Sequence, residues 1–150
     1  MSDVASVDID VRARIVQAAR SLIGVKYVHQ GRSRFGIDCA GVVVHAGAAT
    51  GIPIEDHTVY PGGLNLNLML EYLSKNAIKT MGKCVPAVSI PRGSIVLFLH
   101  PRIQLCHVGI KTEGASMVHS WKSTGKVTET PIDSRWHRVL ESVWDFKGVS

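Results

Sequence analysis

Cys39, His107 and His119 are side chains of the types that nucleophilic acyl chemistry needs. A thiol attacks an amide carbonyl when a base takes its proton and a third polar group holds that base in place. Asp38 is a good helix N-cap type, so Cys39 falls in the first turn of a helix. Free N–H groups and the positive end of the helix dipole there favour a thiolate, and they can also receive the oxyanion of a tetrahedral intermediate. Most free cysteines are simply small buried hydrophobes. The chemistry therefore depends on whether two histidines reach one surface.

His107 and His119 sit in CHVGIKT and ASMVHSW, two runs that read as adjacent strands around Glu113-Gly114. If Thr112, Glu113 and Gly114 form a three-residue hairpin loop with Gly114 left-handed, Lys111 lies opposite Ala115 and His107 opposite His119. Both imidazoles then share a face. A two-residue loop would separate them, because a one-residue slip flips every side chain. Alternation sends Cys106 and Val108 the other way, into the core. His45 is about 240° round the helix from Cys39 and cannot partner the thiol.

The elements that must carry these groups are legible from periodicity. Val11, Ile15, Ala18 and Leu22 make one stripe of an opening helix over about Asp8 to Leu22, with Asp8 as cap and Gly24 as stop. Val25 to Ile37 loses periodicity and reads as a long structured loop leading to Asp38-Cys39. The run from Cys39 to Thr50 is apolar nearly all round, and its length and the following Gly51-Ile52-Pro53 predict a buried central helix. Leu66, Met69, Leu70 and Leu73 mark a second amphipathic helix within Leu64 to Asn76. Period-two strands follow at Ser94–Leu99, Cys106–Lys111, Ala115–Trp121, Lys126–Thr130 and about Val139–Phe146. Helices first and strands afterwards indicate one α+β domain with an antiparallel sheet.

Hydrophobic residues at 45% and charged residues at 19% suit a globular domain. A net charge of +5 favours an acidic partner, but the basic residues are dispersed, which argues against nucleic acid. No run is long enough to span a membrane, and the first residues are too acidic and broken for a signal peptide. The three cysteines lack CxxC spacing, so reduced thiols are the simplest reading. A zinc site of Cys39, His107 and His119 is possible by ligand type but lacks supporting carboxylates or paired cysteines. GRSRFG and STGK do not complete a phosphate-binding loop.

The run GVKYVHQGRSRFGIDCAGVVVHAGAATGI, followed by RGSIVLFL, CHVGI and MVHSW, resembles the NlpC/P60 cysteine peptidases in order and spacing over roughly residues 15 to 121. The resemblance implies a papain-like fold with the nucleophile on a central helix packed on an antiparallel sheet. It also implies cleavage of peptidoglycan stem peptides, typically at the D-γ-glutamyl bond to diaminopimelate or lysine, without metal or cofactor. By position, Cys39 is the nucleophile, His107 the base and His119 the residue that orients it. Tyr27 matches a tyrosine whose hydroxyl assists the oxyanion or substrate, and Asp38 a carboxylate that caps the helix or meets a free amine of the stem peptide. VLESVWDFKG looks most like the phage-associated branch, which implies tail-tip partners, a place in the virion and action at the cell wall. His29, Gln30, Ala40 and Ser94 depart from the family pattern, which bears on substrate preference. A structural tail component with an unused site, or an acyltransferase or amidase on the same scaffold, are the alternative expectations.

Overall fold

The computed structural model describes residues 10–149. Helix α1 (Val11–Arg20) buries Ile15, Val16 and Ala19 and is capped by Asp10, whose side chain accepts from the Ala13 amide at 3.3 Å. The expected cap, Asp8, lies outside the described residues. The stretch to Asp38, expected as a loop, contains a small hairpin of β1 (Arg32–Ser33) and β2 (Gly36–Ile37). Helix α2 (Cys39–Gly47) continues as one 3-10 turn through Thr50 and ends at the left-handed Gly51. Its valines are poor helix formers, but Val42 and Val43 are fully buried, and packing decides. Helix α3 (Leu66–Asn76) is capped by Asn65 and runs straight into β3 (Ala77–Met81), an edge strand whose burial pattern shows no alternation.

The remaining elements are β4 (Ile95–Leu99), β5 (Cys106–Lys111), β6 (Ser116–Trp121), β7 (Lys126–Pro131), helix α4 (Ser134–Arg138) and β8 (Leu140–Phe146). They form one six-stranded sheet of order β3-β8-β4-β5-β6-β7, antiparallel at every junction. Period-two alternation puts a core on each side. Ile95, Leu97, Val108, Ile110, Val118 and Phe146 pack with the three long helices. Val96, Phe98, Met117 and Val143 pack beneath α4 and the segment around Ile90. Each fully buried aliphatic side chain contributes about 1.5–3 kcal/mol relative to exposure.

The β5–β6 hairpin departs from its expected register. The Thr112 amide bonds to Ser116 O at 2.9 Å, and Lys111 pairs with Met117 instead of Ala115, so the loop is Glu113–Ala115. It is still a three-residue loop with a left-handed Gly114 (φ 69°). A shift of two residues preserves parity, so His107 and His119 stay on one face although they are not directly opposite. Pairing between β5 and β6 covers only Ile110–Val118 and Lys111–Met117. The strands part towards His107, which leaves room for the start of α2.

Gly41 in α2 is another close approach: a Cβ there would meet Gly31 O at 2.6 Å and the Ile37 side chain. Gly41→Ala is expected to lower stability by about 1–3 kcal/mol. Urea denaturation would show this as a lower midpoint with an unchanged slope.

Candidate active site

Asp38 is 2% exposed and is surrounded by donors. Its carboxylate accepts from the Gly41 amide at 2.9 Å, the Gln30 amide at 2.8 Å, Arg32 Nη1 at 2.8 Å and the Tyr60 hydroxyl at 2.5 Å. The first bond is the helix cap expected from sequence; the other three tie the preceding loop and the Tyr60 loop to the start of α2. Arg32 reaches on to Asp56 at 2.9 Å. Gln30, left-handed at φ 62°, returns a bond through its side chain to the Tyr60 amide at 2.7 Å. Arg32 and Tyr60 were not singled out from sequence, and Gln30 was noted only as a departure from the family pattern, because a loop without periodicity does not reveal which residues converge.

This clamp fixes Cys39, which is 9% exposed. As the first helical residues, Cys39 and Ala40 have N–H groups with no intrahelical acceptor, whereas that of Gly41 is taken by Asp38. Burial pushes the Cys39 thiol up to about 12, and the charge of Asp38 adds to the effect. The amides of Val108 and Ala40 and the charge of Arg32 oppose it. The resting thiol is therefore protonated at neutral pH, so the helix start does not by itself generate a thiolate. The Val108 amide at the thiol places Cys39 against β5, one residue on from His107.

His107 and His119 meet directly, with Nε2 of His107 2.7 Å from Nδ1 of His119. His119 is fully buried, and its Nε2 lies 2.9 Å from Thr130 Oγ1. For His107 to accept a proton at Nδ1, its Nε2–H must donate to His119 Nδ1, and His119 Nε2–H must donate to Thr130. That tautomer chain satisfies both contacts. Among the described residues no hydrogen bond engages His107 Nδ1, and none joins it to Cys39; catalytic hydrogen bonds are often loose without substrate.

Trp136 covers both rings. It stacks on His107 with centroids 5.2 Å apart at 30°, and meets His119 edge-on at 5.3 Å. Phe98 and Trp121 pack around it at 4.9 and 5.0 Å. Desolvation drops His119 to about 4 and holds His107 well below the ordinary imidazole value, with the neighbouring ring contributing for His107. Thr130 and Trp136 were missed from sequence; the spacing of Thr130 from Trp121 on the next strand was the available signal for the first. Tyr27 is half-buried, bridges to Ile37 and donates its amide to Gly125 O at 2.8 Å. Burial and the charges of Cys39 and Asp38 raise its phenol, so it belongs to the same neighbourhood. Cys106 packs against the helix-side core, and burial pushes its thiol up to about 12. Among the described residues no cluster of three or more His, Cys, Asp or Glu is arranged to hold a metal ion.

Two outcomes test this description. Asp38→Asn converts one acceptor into a donor among four donors, and is expected to cost about 3 kcal/mol in urea denaturation, as for a broken buried ion pair. Because His119 stays neutral to about pH 4 in the folded chain but titrates near 6.5 when unfolded, the unfolded state binds the extra proton between those values. The share of stability due to His119 should be full above pH 6.5 and fall by about 3 kcal/mol on acidification to pH 4. The gap between urea curves at pH 7 and pH 4.5 should narrow in His119→Gln, and what remains should include the contribution of His107, whose imidazole is also held below its ordinary value.

The NlpC/P60 family model matches residues 24–144. Among solved structures, the NlpC/p60 domain of the peptidoglycan hydrolase SagA is 21% identical, covering 88% of this chain and 96% of that one, with a TM-score of 0.57. The peptidoglycan hydrolase RipB of Mycobacterium tuberculosis is 21% identical over 95% of this chain and 67% of that one, with a TM-score of 0.62. An NlpC/P60 family protein from Bacillus cereus is 19% identical over 88% of this chain, with a TM-score of 0.64, and the match spans only 39% of its length. No match was found among curated proteins. At these identities the structures establish the papain-like NlpC/P60 fold, and with a family match over most of its length the chain belongs to the NlpC/P60 family.

Proposed function

We propose that this domain is a cysteine endopeptidase or amidase that hydrolyses peptidoglycan stem peptides, with the D-γ-glutamyl bond to diaminopimelate as the representative target. The observation that carries the reading is the placement of Cys39 at the start of a buried helix with its thiol at the amide of Val108, the residue that follows His107 of the His107–His119–Thr130 chain. Two of the similar family structures, SagA and RipB, are named peptidoglycan hydrolases, which supports the substrate class.

Thiol and imidazole are both neutral at rest, so the nucleophile forms during attack. The Cys39 sulfur bonds to the amide carbon as its proton passes to Nδ1 of His107. The cation formed on His107 is held by its Nε2–H bond to His119. The carbonyl oxygen gains charge facing the N–H groups of Cys39 and Ala40 and the Tyr27 hydroxyl. The C–N bond then breaks as the leaving amine takes the proton from His107, and water, deprotonated by the same ring, releases the thioester. Asp38 holds the helix start; a direct contact with a substrate amine would require one of its four donors to give way.

The resemblance of the sequence of β8, VLESVWDFKG, to the phage-associated branch and the net charge of +5 support action at an anionic cell wall as part of a tail assembly. No helix among the described residues is long and apolar enough to cross a membrane.

Defined muropeptides analysed by mass spectrometry are expected to give new amine termini at one amide. Cys39→Ala should abolish cleavage, and His107→Ala should reduce kcat by about 10²–10⁴-fold. Thr130→Val should lower kcat while leaving KM unchanged, because it frees the His119 tautomer without touching substrate. Cleavage that survives in Cys39→Ala would overturn the reading.

A further inference from the structure

The face that carries the two histidines continues beyond them. Trp121 lies two residues along β6 from His119, on the same face, and stacks with it at 6.1 Å. It is 37% exposed and also packs on Trp136, which covers His107. Directly opposite Trp121 on β7 is Lys126, and directly opposite Lys126 is Lys26, joined by an isolated antiparallel bridge. Directly opposed residues point to the same side of a sheet, so Trp121, Lys126 and Lys26 form one row across three strands. The row lies about 7 Å along the strand from His119, at roughly 3.4 Å per residue.

The pairing of Lys26 with Lys126 is unfavourable on its own terms, since like charges directly opposite repel. Both side chains are exposed, and among the described residues neither forms an ion pair. Lys122, also exposed and without an ion pair among the described residues, adds a third cation in the adjoining turn. Glu129, on the same strand as Lys126, is committed to Arg20 at 2.9 Å, as is Glu113 of the β5–β6 loop at 3.0 Å. A fixed pair of cations beside an exposed aromatic face is suited to an anionic group with a flat or apolar neighbour.

We infer that the row Trp121–Lys126–Lys26 is a substrate subsite that takes a carboxylate of an acidic peptide about two residues from the bond cleaved, with Trp121 supporting the intervening backbone. An extended peptide advances at most about 3.3–3.6 Å per residue, so two residues span the distance from the histidines to the row. The inference rests on the hydrolase reading for its substrate class, and its geometry is independent of which bond is cut.

The test uses Cys39→Ala protein and a fluorescently labelled γ-glutamyl peptide, either with free carboxylates or amidated at each one, followed by anisotropy at low salt. The free acid should bind about tenfold more tightly, as expected for a charge-assisted hydrogen bond. That preference should shrink as salt rises, disappear in Lys26→Gln/Lys126→Gln, and persist in Lys26→Arg/Lys126→Arg. Equal affinity for the two peptides, binding of neither, or a preference unchanged in the Gln pair would overturn the subsite. In proteins with Cys39 intact, cleavage without charge preference would sink the subsite and leave the hydrolase reading standing. Preferential binding without any cleavage would do the reverse.

Discussion

The arrangement depends on one carboxylate. Asp38 is buried with four donors directed at it, from the loop before it, the helix after it and the Tyr60 loop. An isolated buried charge would cost several kcal/mol, so Asp38 is tolerable only because those donors and the Arg32 cation are present together. The converse also holds: the loop from Tyr27 to Ile37 has little core of its own and is organised by what Asp38 demands. The helix start, the direction of the Cys39 side chain and the availability of the Cys39 and Ala40 amides all follow from that requirement. The charge has an opposing effect on the chemistry, because it raises the thiol beside it.

The histidine side solves a different problem. Burial under Trp136 shields both rings from water and keeps them neutral, so His107 is unprotonated throughout the neutral range. The His107–His119–Thr130 chain partners three of the four ring nitrogens and leaves Nδ1 of His107 without a hydrogen bond among the described residues. The aromatic cover is thus both a packing element of the second core and the dielectric environment of the base.

Much of this was legible in the sequence where period and parity carry the information. The buried central helix, the antiparallel strands and the odd-numbered loop between β5 and β6 follow from apolar spacing and one glycine. The pairing partner of Lys111 was placed two residues away because a loop of three can begin at Thr112 or at Glu113, and only the Thr112–Ser116 bond selects between them. Strand β3 escaped notice because three of its five residues are exposed and it follows α3 with no turn residue between them. Helix α4 has five residues, too few for a period, yet it supplies Trp136. Arg32 and Tyr60 converge on Asp38 from non-periodic segments, where sequence spacing carries no distance.

The parting of β5 from β6 also bears on how the site comes into being. Cys39 belongs to the helix side of the sheet, whereas His107 pairs with Phe98 of the opposite core, so thiol and imidazole approach one another only where the ladder opens and the Val108 amide turns to Cys39. No local segment holds both. In a chain still being synthesised or partly unfolded nothing local holds Cys39 near His107, and the two are brought to one opening only once sheet, helix and loop clamp have closed. Any joint chemistry of that thiol and imidazole is therefore a late, global property of the folded state, which no fragment of the chain can share.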